Sequence, residues 1–329
     1  MAVYTVLDRE EVEAFIAPYG IGPLLSFEGV AAGVENSNYF ISTDASAIAS
    51  ELHTNPKNEY VLTIFEEIAA ADLLFYARLT TMLNGKGLPV PCPIRDADGE
   101  AVHYVQGKPA MLVPKVKGEH PQLPSQGQCQ AIGSALARCH LACLGWPESH
   151  AGNRDFPWLK RTAQTMASQL APDEKELLKE LPHFEQQLER HPDLPKAVIH
   201  GDLFRDNALF EGDTLTGLID FNSAGEGFLL MDLAVVINDW CSRPDGSLDT
   251  LRSDAILETY RQIRPVTADE QQLWGDFLRI AALRFWVSRR YTQLNPTGNH
   301  RPGGLVVIKD PQQFRDILAQ RIRYPQILK

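Results

Sequence analysis

Cysteine is scarce and irregularly placed, with five residues in 329: Cys92, Cys129, Cys139, Cys143 and Cys241. An odd count without paired spacing argues against a disulfide framework and for free thiols in a reducing compartment. No apolar run reaches the length of a membrane span. The opening MAVYTVLDREEVEAF has neither the basic start nor the apolar stretch of a signal peptide, so a cytoplasmic location is expected. Basic charge is also short: 31 Lys and Arg against 42 Asp and Glu leave a net charge of −11, which sets aside nucleic acid and membrane surfaces as partners. No repeat, coiled coil or low-complexity tract is present, and no feature calls for an obligate protein partner.

What is present is ordinary folded protein. At 329 residues and 44% hydrophobic composition the chain exceeds one compact core, which predicts two lobes. Residues 8–19 read as a short amphipathic helix stopped by Pro18 and Gly20. Apolar stretches at 24–30, 39–41 and 60–65 read as strands. Ala69, Leu73, Tyr76, Thr80 and Leu83 then recur at helical spacing. Residues 94–96 and 102–105 flank Asp98-Gly99, a hairpin signal, and 110–114 adds a further strand. The breaker-rich Lys115-Val116-Lys117-Gly118-Glu119-His120 predicts a connection. Helices then dominate, at 126–144, 157–170, 173–190, 232–240, 253–263, 268–291 and 311–322. The expected fold is α+β: a small antiparallel-sheet lobe over 1–114, a connection over 115–120, and a larger, mainly helical lobe over 121–329.

The chemistry concentrates in Val198-Ile199-His200-Gly201-Asp202-Leu203-Phe204-Arg205-Asp206-Asn207 and, beyond a turn at Gly212-Asp213, in Ile219-Asp220-Phe221. Phosphoryl transfer asks for a carboxylate that orients the attacking hydroxyl and takes its proton, together with oxygen ligands that hold Mg²⁺ against nucleotide phosphates. Asp202, Asn207 five positions later, and Asp220 just past a hairpin supply that set in the arrangement protein kinases use. Taken singly, each is better explained by a turn cap or a strand end. Upstream, Gly29-Val30-Ala31-Ala32-Gly33-Val34-Glu35-Asn36-Ser37-Asn38 has the glycines and polar tip of a phosphate-covering loop, without the Gly-Lys-Ser/Thr of a Walker loop. Cys139-His140-x-x-Cys143 has ligand types for a metal but falls on an apolar helical stripe with Ile132 and Leu136.

His200-Gly201-Asp202-Leu203-x-x-x-Asn207 resembles the signature of the aminoglycoside phosphotransferases, choline kinases and their relatives. The resemblance implies a protein-kinase-like fold with ATP as co-substrate. It makes Asp202 the base, Asn207 and Asp220 the Mg²⁺ ligands, and His200 a support for the loop. Asp232 would brace the loop from the following helix. By the same resemblance Gly33, Asn36, Ser37 and Asn38 lie on the nucleotide side, and the backbone around Val113 and Val116 reads adenine. Thr63 stands where many relatives carry a Lys for the α/β-phosphates, a departure that keeps open a nucleotide-binding pseudokinase.

Within that family, Glu35-Asn36-Ser37-Asn38-Tyr39-Phe40, Tyr60-Val61-Leu62-Thr63, Asn238-Asp239-Trp240-Cys241 and Lys309-Asp310-Pro311 are similar to the homoserine kinases. The resemblance implies phosphorylation of L-homoserine in threonine biosynthesis. An Arg fork suits the carboxylate of such an acceptor and an acidic side chain its ammonium, which nominates Arg284 and Asp239, with Trp240 as a pocket wall. Choline, aminoglycosides and methylthioribose are the alternative acceptors.

Overall fold

Alternation of apolar side chains decides which face of each N-terminal strand is buried. In the computed structural model, which describes residues 3–30, 36–44, 58–152, 154–295 and 309–328, the chain divides into two units, one over 3–116 and the other over 117–295 with 309–328.

The first unit opens with helix α1 (Arg9–Ile16), started by a capping box in which Asp8 accepts from the Glu11 amide while the Glu11 carboxylate returns to the Asp8 amide. Strands β1 (Leu24–Gly29), β2 (Ser37–Thr43) and β3 (Glu59–Ile64) follow, then helix α2 (Ala70–Gly85), then β4 (Val102–Val105) and β5 (Lys108–Pro114). They form one antiparallel sheet in the order β1-β2-β3-β5-β4. Tyr39 and Ile41 of β2 and Tyr60, Leu62 and Ile64 of β3 point to one side. There they meet Val12, Phe15 and Ile16 of α1 in the unit's core. Asn38 and Phe40, paired with Thr63 and Val61, point to the other side.

The hairpin expected at Asp98-Gly99 does not form. Residues 94–96 make no ladder, and the turn that joins β4 to β5 is Gln106-Gly107, where both residues take positive φ, 49° and 76°. Asp98-Gly99 instead closes a local turn around Asp96.

In the second unit α3 (Gln126–Cys143), α4 (Phe156–Met166), α5 (Pro172–Leu177) and α6 (Glu180–Arg190) precede the strands β6 (Lys196–Ile199), β7 (Ala208–Glu211), β8 (Thr214–Leu218) and β9 (Gly225–Phe228). Helices α7 (Leu229–Trp240), α8 (Thr250–Ile263), α9 (Ala268–Leu294) and α10 (Gln312–Arg323) complete it. The single helix expected over 173–190 is two helices, because Pro182 is tolerated only in a first turn and forces a restart just before it. Helix α7 is buried almost all round, with α9 packed against it, so residues placed on α7 and α9 are held rigidly. β7 and β8 form a hairpin, and β9 returns to pair with β6, with Ile199 opposite Gly225. This topology brings the loop after β6 and the turn after β8 to the same end of the small sheets. No helix among the described residues is long and apolar enough to cross a membrane.

Candidate active site

The loop from His200 to Asn207 leaves β6 and is stitched to the turn after β8 by backbone and side-chain bonds. His200 Nε2 lies 3.0 Å from the Ile219 carbonyl oxygen, and the Asp202 amide donates to His200 Nδ1 at 3.3 Å. A carbonyl only accepts and an amide N–H only donates, so these partners fix a neutral imidazole with its proton on Nε2. The Ile219 amide donates to the Asn207 carbonyl at 3.0 Å, and the Asn207 side-chain Nδ2 donates to the Asp202 carbonyl at 2.7 Å. Both polar groups of the Ile219 backbone are therefore spent on the loop. The next residue, Asp220, is turned into the left-handed region at φ 62°, ψ 59°. Strand β8 ends at Leu218, and that left-handed turn is the reason.

Gly201 must be glycine. Its φ is +77°, and a Cβ there would stand 2.9 Å from the Ser223 carbonyl oxygen. Asp232 of α7, fully buried, grips the loop from beneath: Oδ2 accepts from the His200 amide and Oδ1 from the Gly201 amide, each at 2.8 Å. A third donor, His140 Nε2 of α3, reaches Asp232 Oδ2 at 3.2 Å, and His140 Nδ1 lies 2.7 Å from the Tyr260 hydroxyl. Burial alone would raise the Asp232 carboxyl, but these donors outweigh it and hold the group below its ordinary value.

This network accounts for the Cys139-His140-x-x-Cys143 motif, since both ring nitrogens of His140 are engaged. Burial, with Asp232 nearby, pushes the Cys143 thiol up to about 12 and raises Cys139 as well, so both stand protonated beside the network. Among the described residues no group of three His, Cys, Asp or Glu side chains could hold a metal ion.

The three residues expected to touch an acceptor turn inward to the same loop. Arg284 Nη2 of α9 donates to the Gly201 carbonyl, Trp240 Nε1 of α7 to the Leu203 carbonyl at 3.2 Å, and Asp239 Oδ2 accepts from the Arg205 amide at 2.8 Å and from Arg205 Nε at 3.1 Å. Trp240 is fully buried and has no face to offer a pocket; Asp239 already has its cation in Arg205. The reason is the polarity of the loop itself: an irregular, buried backbone needs partners for its N–H and C=O groups, and rigid helices supply them. Asp232, Arg284, Trp240, Asp239 and Asn207 together satisfy successive groups from His200 to Arg205. Helical spacing cannot say whether such side chains face a ligand or a neighbouring loop.

Asp202 itself is half-buried. Desolvation raises its carboxyl to about 7; the Arg284 charge, and more weakly Arg154 and Lys309, act downward, while Asp220 adds to the rise. Two carboxylates and several cations thus share one end of the unit.

In the first unit, Ser37 is not free to meet phosphate. It is fully buried; its Oγ accepts from the Tyr4 and Thr5 amides at 2.8 and 2.9 Å and donates to Glu66 Oε1 at 2.6 Å. Glu66 also takes Thr5 Oγ1 at 2.8 Å and an ion pair from Lys108, a cluster that the sequence reading missed because its members are far apart in the chain. Thr63 Oγ1 donates to Asn38 Oδ1 at 2.7 Å on the sheet face opposite the core, Asn36 is buried, and Val113 pairs with Val61 in β5. Val116 ends the unit, and Gly33 lies outside the described residues.

Residues 26–266 match the phosphotransferase enzyme family. The homoserine kinase of Pseudomonas aeruginosa is 41% identical over 98% of this chain and 96% of its own, and that of Methylobacillus flagellatus is 38% identical over the same shares. Among solved structures, a microcompartment-associated aminopropanol kinase superposes with a TM-score of 0.68 at 17% identity, over 96% of this chain and 97% of its own. An amicoumacin kinase does so at 0.67 and 14% identity, over 96% and 93%. With that fold, that family match and these near-full-length relatives, the chain belongs to the phosphotransferase enzyme family and is a small-molecule kinase.

Proposed function

We propose that this chain transfers the γ-phosphoryl group of ATP to the side-chain hydroxyl of L-homoserine, giving O-phospho-L-homoserine and ADP. Similarity to the homoserine kinases along nearly the whole chain supports the acceptor. The chemistry rests on one observation: a single interlocked loop and turn hold Asp202, Asn207 and Asp220 at one end of β6 and β8.

Asp202 orients the acceptor hydroxyl and takes its proton as the new O–P bond forms and the bond from γ-phosphorus to the bridging oxygen of ADP breaks. Crowding by protein atoms makes this carboxylate a better base than a solvated one. His200, neutral and donating to Ile219, keeps the loop registered on the Asp220 turn. Asn207 and Asp220 would hold Mg²⁺. The donor set fits: an amide oxygen and a carboxylate are hard ligands, and the bond from Asn207 Nδ2 to the Asp202 carbonyl turns the amide oxygen the other way. Bound there, the ion would offset charge on the nucleotide phosphates. Asn36, Asn38 and Thr63 are assigned to the phosphate side, with the backbone of Val113 and Val116 at the adenine edge.

Asp202→Asn is expected to lower turnover by roughly 10²–10⁴ with unchanged melting temperature and ATP binding, and Asp220→Ala to abolish the Mg²⁺ dependence of ATP binding in a calorimetric titration. Near-normal turnover by folded Asp202→Asn would remove the base from this scheme.

A further inference from the structure

Gly201 is held on both sides of its residue by opposite charges. Its amide lies on Asp232 Oδ1 of α7 at 2.8 Å and its carbonyl on the Arg284 guanidinium of α9, and Asp202 is the next residue. Arg284 is only 7% exposed; its Nη1 also reaches the Arg154 carbonyl at 3.4 Å, so the guanidinium ties the loop to the segment ahead of α4. Burial acts most strongly on it and disfavours its charge, lowering it to about 10; Asp202 and Asp232 stabilise the charge and Arg154 opposes it. A cation buried this deeply is kept only where its charge and its fork are both used.

We propose that Arg284 is a positioning residue: by clamping the Gly201 carbonyl and setting its charge beside Asp202, it fixes the direction in which that carboxylate meets the acceptor hydroxyl, and it does not bind the acceptor's carboxylate. The proposal rests on the functional reading above. Its rival is the sequence expectation that Arg284 reads the homoserine carboxylate, which the buried and unpartnered Nε would serve. The two roles separate on an acceptor that lacks a carboxylate.

Arg284→Lys, which keeps the charge and loses the fork, and Arg284→Gln, which keeps one donor and loses the charge, are to be assayed with L-homoserine and with 3-amino-1-propanol, the same molecule without its carboxylate. Positioning predicts that kcat falls about tenfold to a hundredfold, by the same factor for both acceptors, with KM for homoserine and ATP held within about twofold, and that the lysine variant retains more activity than the glutamine variant. A rise in homoserine KM at constant kcat, with 3-amino-1-propanol unaffected, would establish carboxylate binding and overturn the proposal; so would unchanged kcat in either variant. Circular dichroism and melting temperature report folding. If both variants unfold, Arg284 supports the whole unit rather than the loop and the proposal also fails. Should the wild-type protein not turn over homoserine, the functional reading is what fails. The clamp is then judged on slow ATP hydrolysis with water as acceptor, which must fall by a common factor in the folded variants.

Discussion

Replacing Asp232 by alanine removes one carboxylate and strands three donors: the amides of His200 and Gly201 and the Nε2–H of His140. Asp232 has no exposed surface, so the donors do not simply turn to solvent. A buried unsatisfied donor costs about 1–3 kcal/mol. Water entering the small cavity recovers part of that, which puts the loss near the lower bound for three donors, about 3–5 kcal/mol. For a unit of this size, at about 2–4 °C per kcal/mol, the melting temperature should drop by roughly 10 °C. Catalysis should fall further than stability explains, because the peptide before Asp202 loses its anchor, and kcat at a temperature where the variant remains folded should drop at least about a hundredfold. Asp232→Asn keeps one acceptor oxygen but sets an NH₂ against a donor, so it should fall between the two. Thermal melting and steady-state turnover on the same preparations suffice. An alanine variant that melts and turns over like the wild type would show that the loop holds itself, and would undo the reasoning about its anchors.

Ser37→Ala should cost about 1–3 kcal/mol, because the Tyr4 and Thr5 amides lose their acceptor, while KM for ATP stays within about twofold; a large rise in that KM at unchanged melting temperature would restore Ser37 to the nucleotide site. Burial would raise the Glu66 carboxyl, but hydrogen bonds from Lys108, Ser37 and Thr5 hold it below its ordinary 4.5. A depressed carboxylate contributes stability that is complete above about pH 4.5 and lost as pH falls through the folded value. Lys108→Met should therefore lower stability most above about pH 4.5 and least at acid pH, and move the acid-unfolding midpoint to higher pH; an unmoved midpoint would mean that the ion pair is inert.

Strong local signals carried far. The five-residue step from Asp202 to Asn207 and the β7–β8 hairpin that follows were legible because each is set by short-range geometry. The Asp8 and Ser125 starts of α1 and α3 were open to the same reasoning, since each carries its capping partner three residues on. Choices between equivalent local signals were not legible. Asp98-Gly99 and Gln106-Gly107 can both turn a chain, and only the pairing of β5 with β3 selects the second. The break at Pro182 was readable and was missed because apolar periodicity runs through it. Arg284, Asp239 and Trp240 show the deeper limit: the sequence placed them on the right helices, but what they face depends on where the loop backbone lies in three dimensions.

The most direct measurement is ADP release by the purified full-length protein with Mg-ATP and, in turn, L-homoserine, choline, an aminoglycoside, methylthioribose and no acceptor. Release that depends on homoserine and exceeds every other condition is the expected result. Release that is independent of acceptor, or strongest with another hydroxylated compound, would contradict homoserine as the substrate while leaving a kinase. No release under any condition would contradict phosphoryl transfer to these acceptors and favour a nucleotide-binding role.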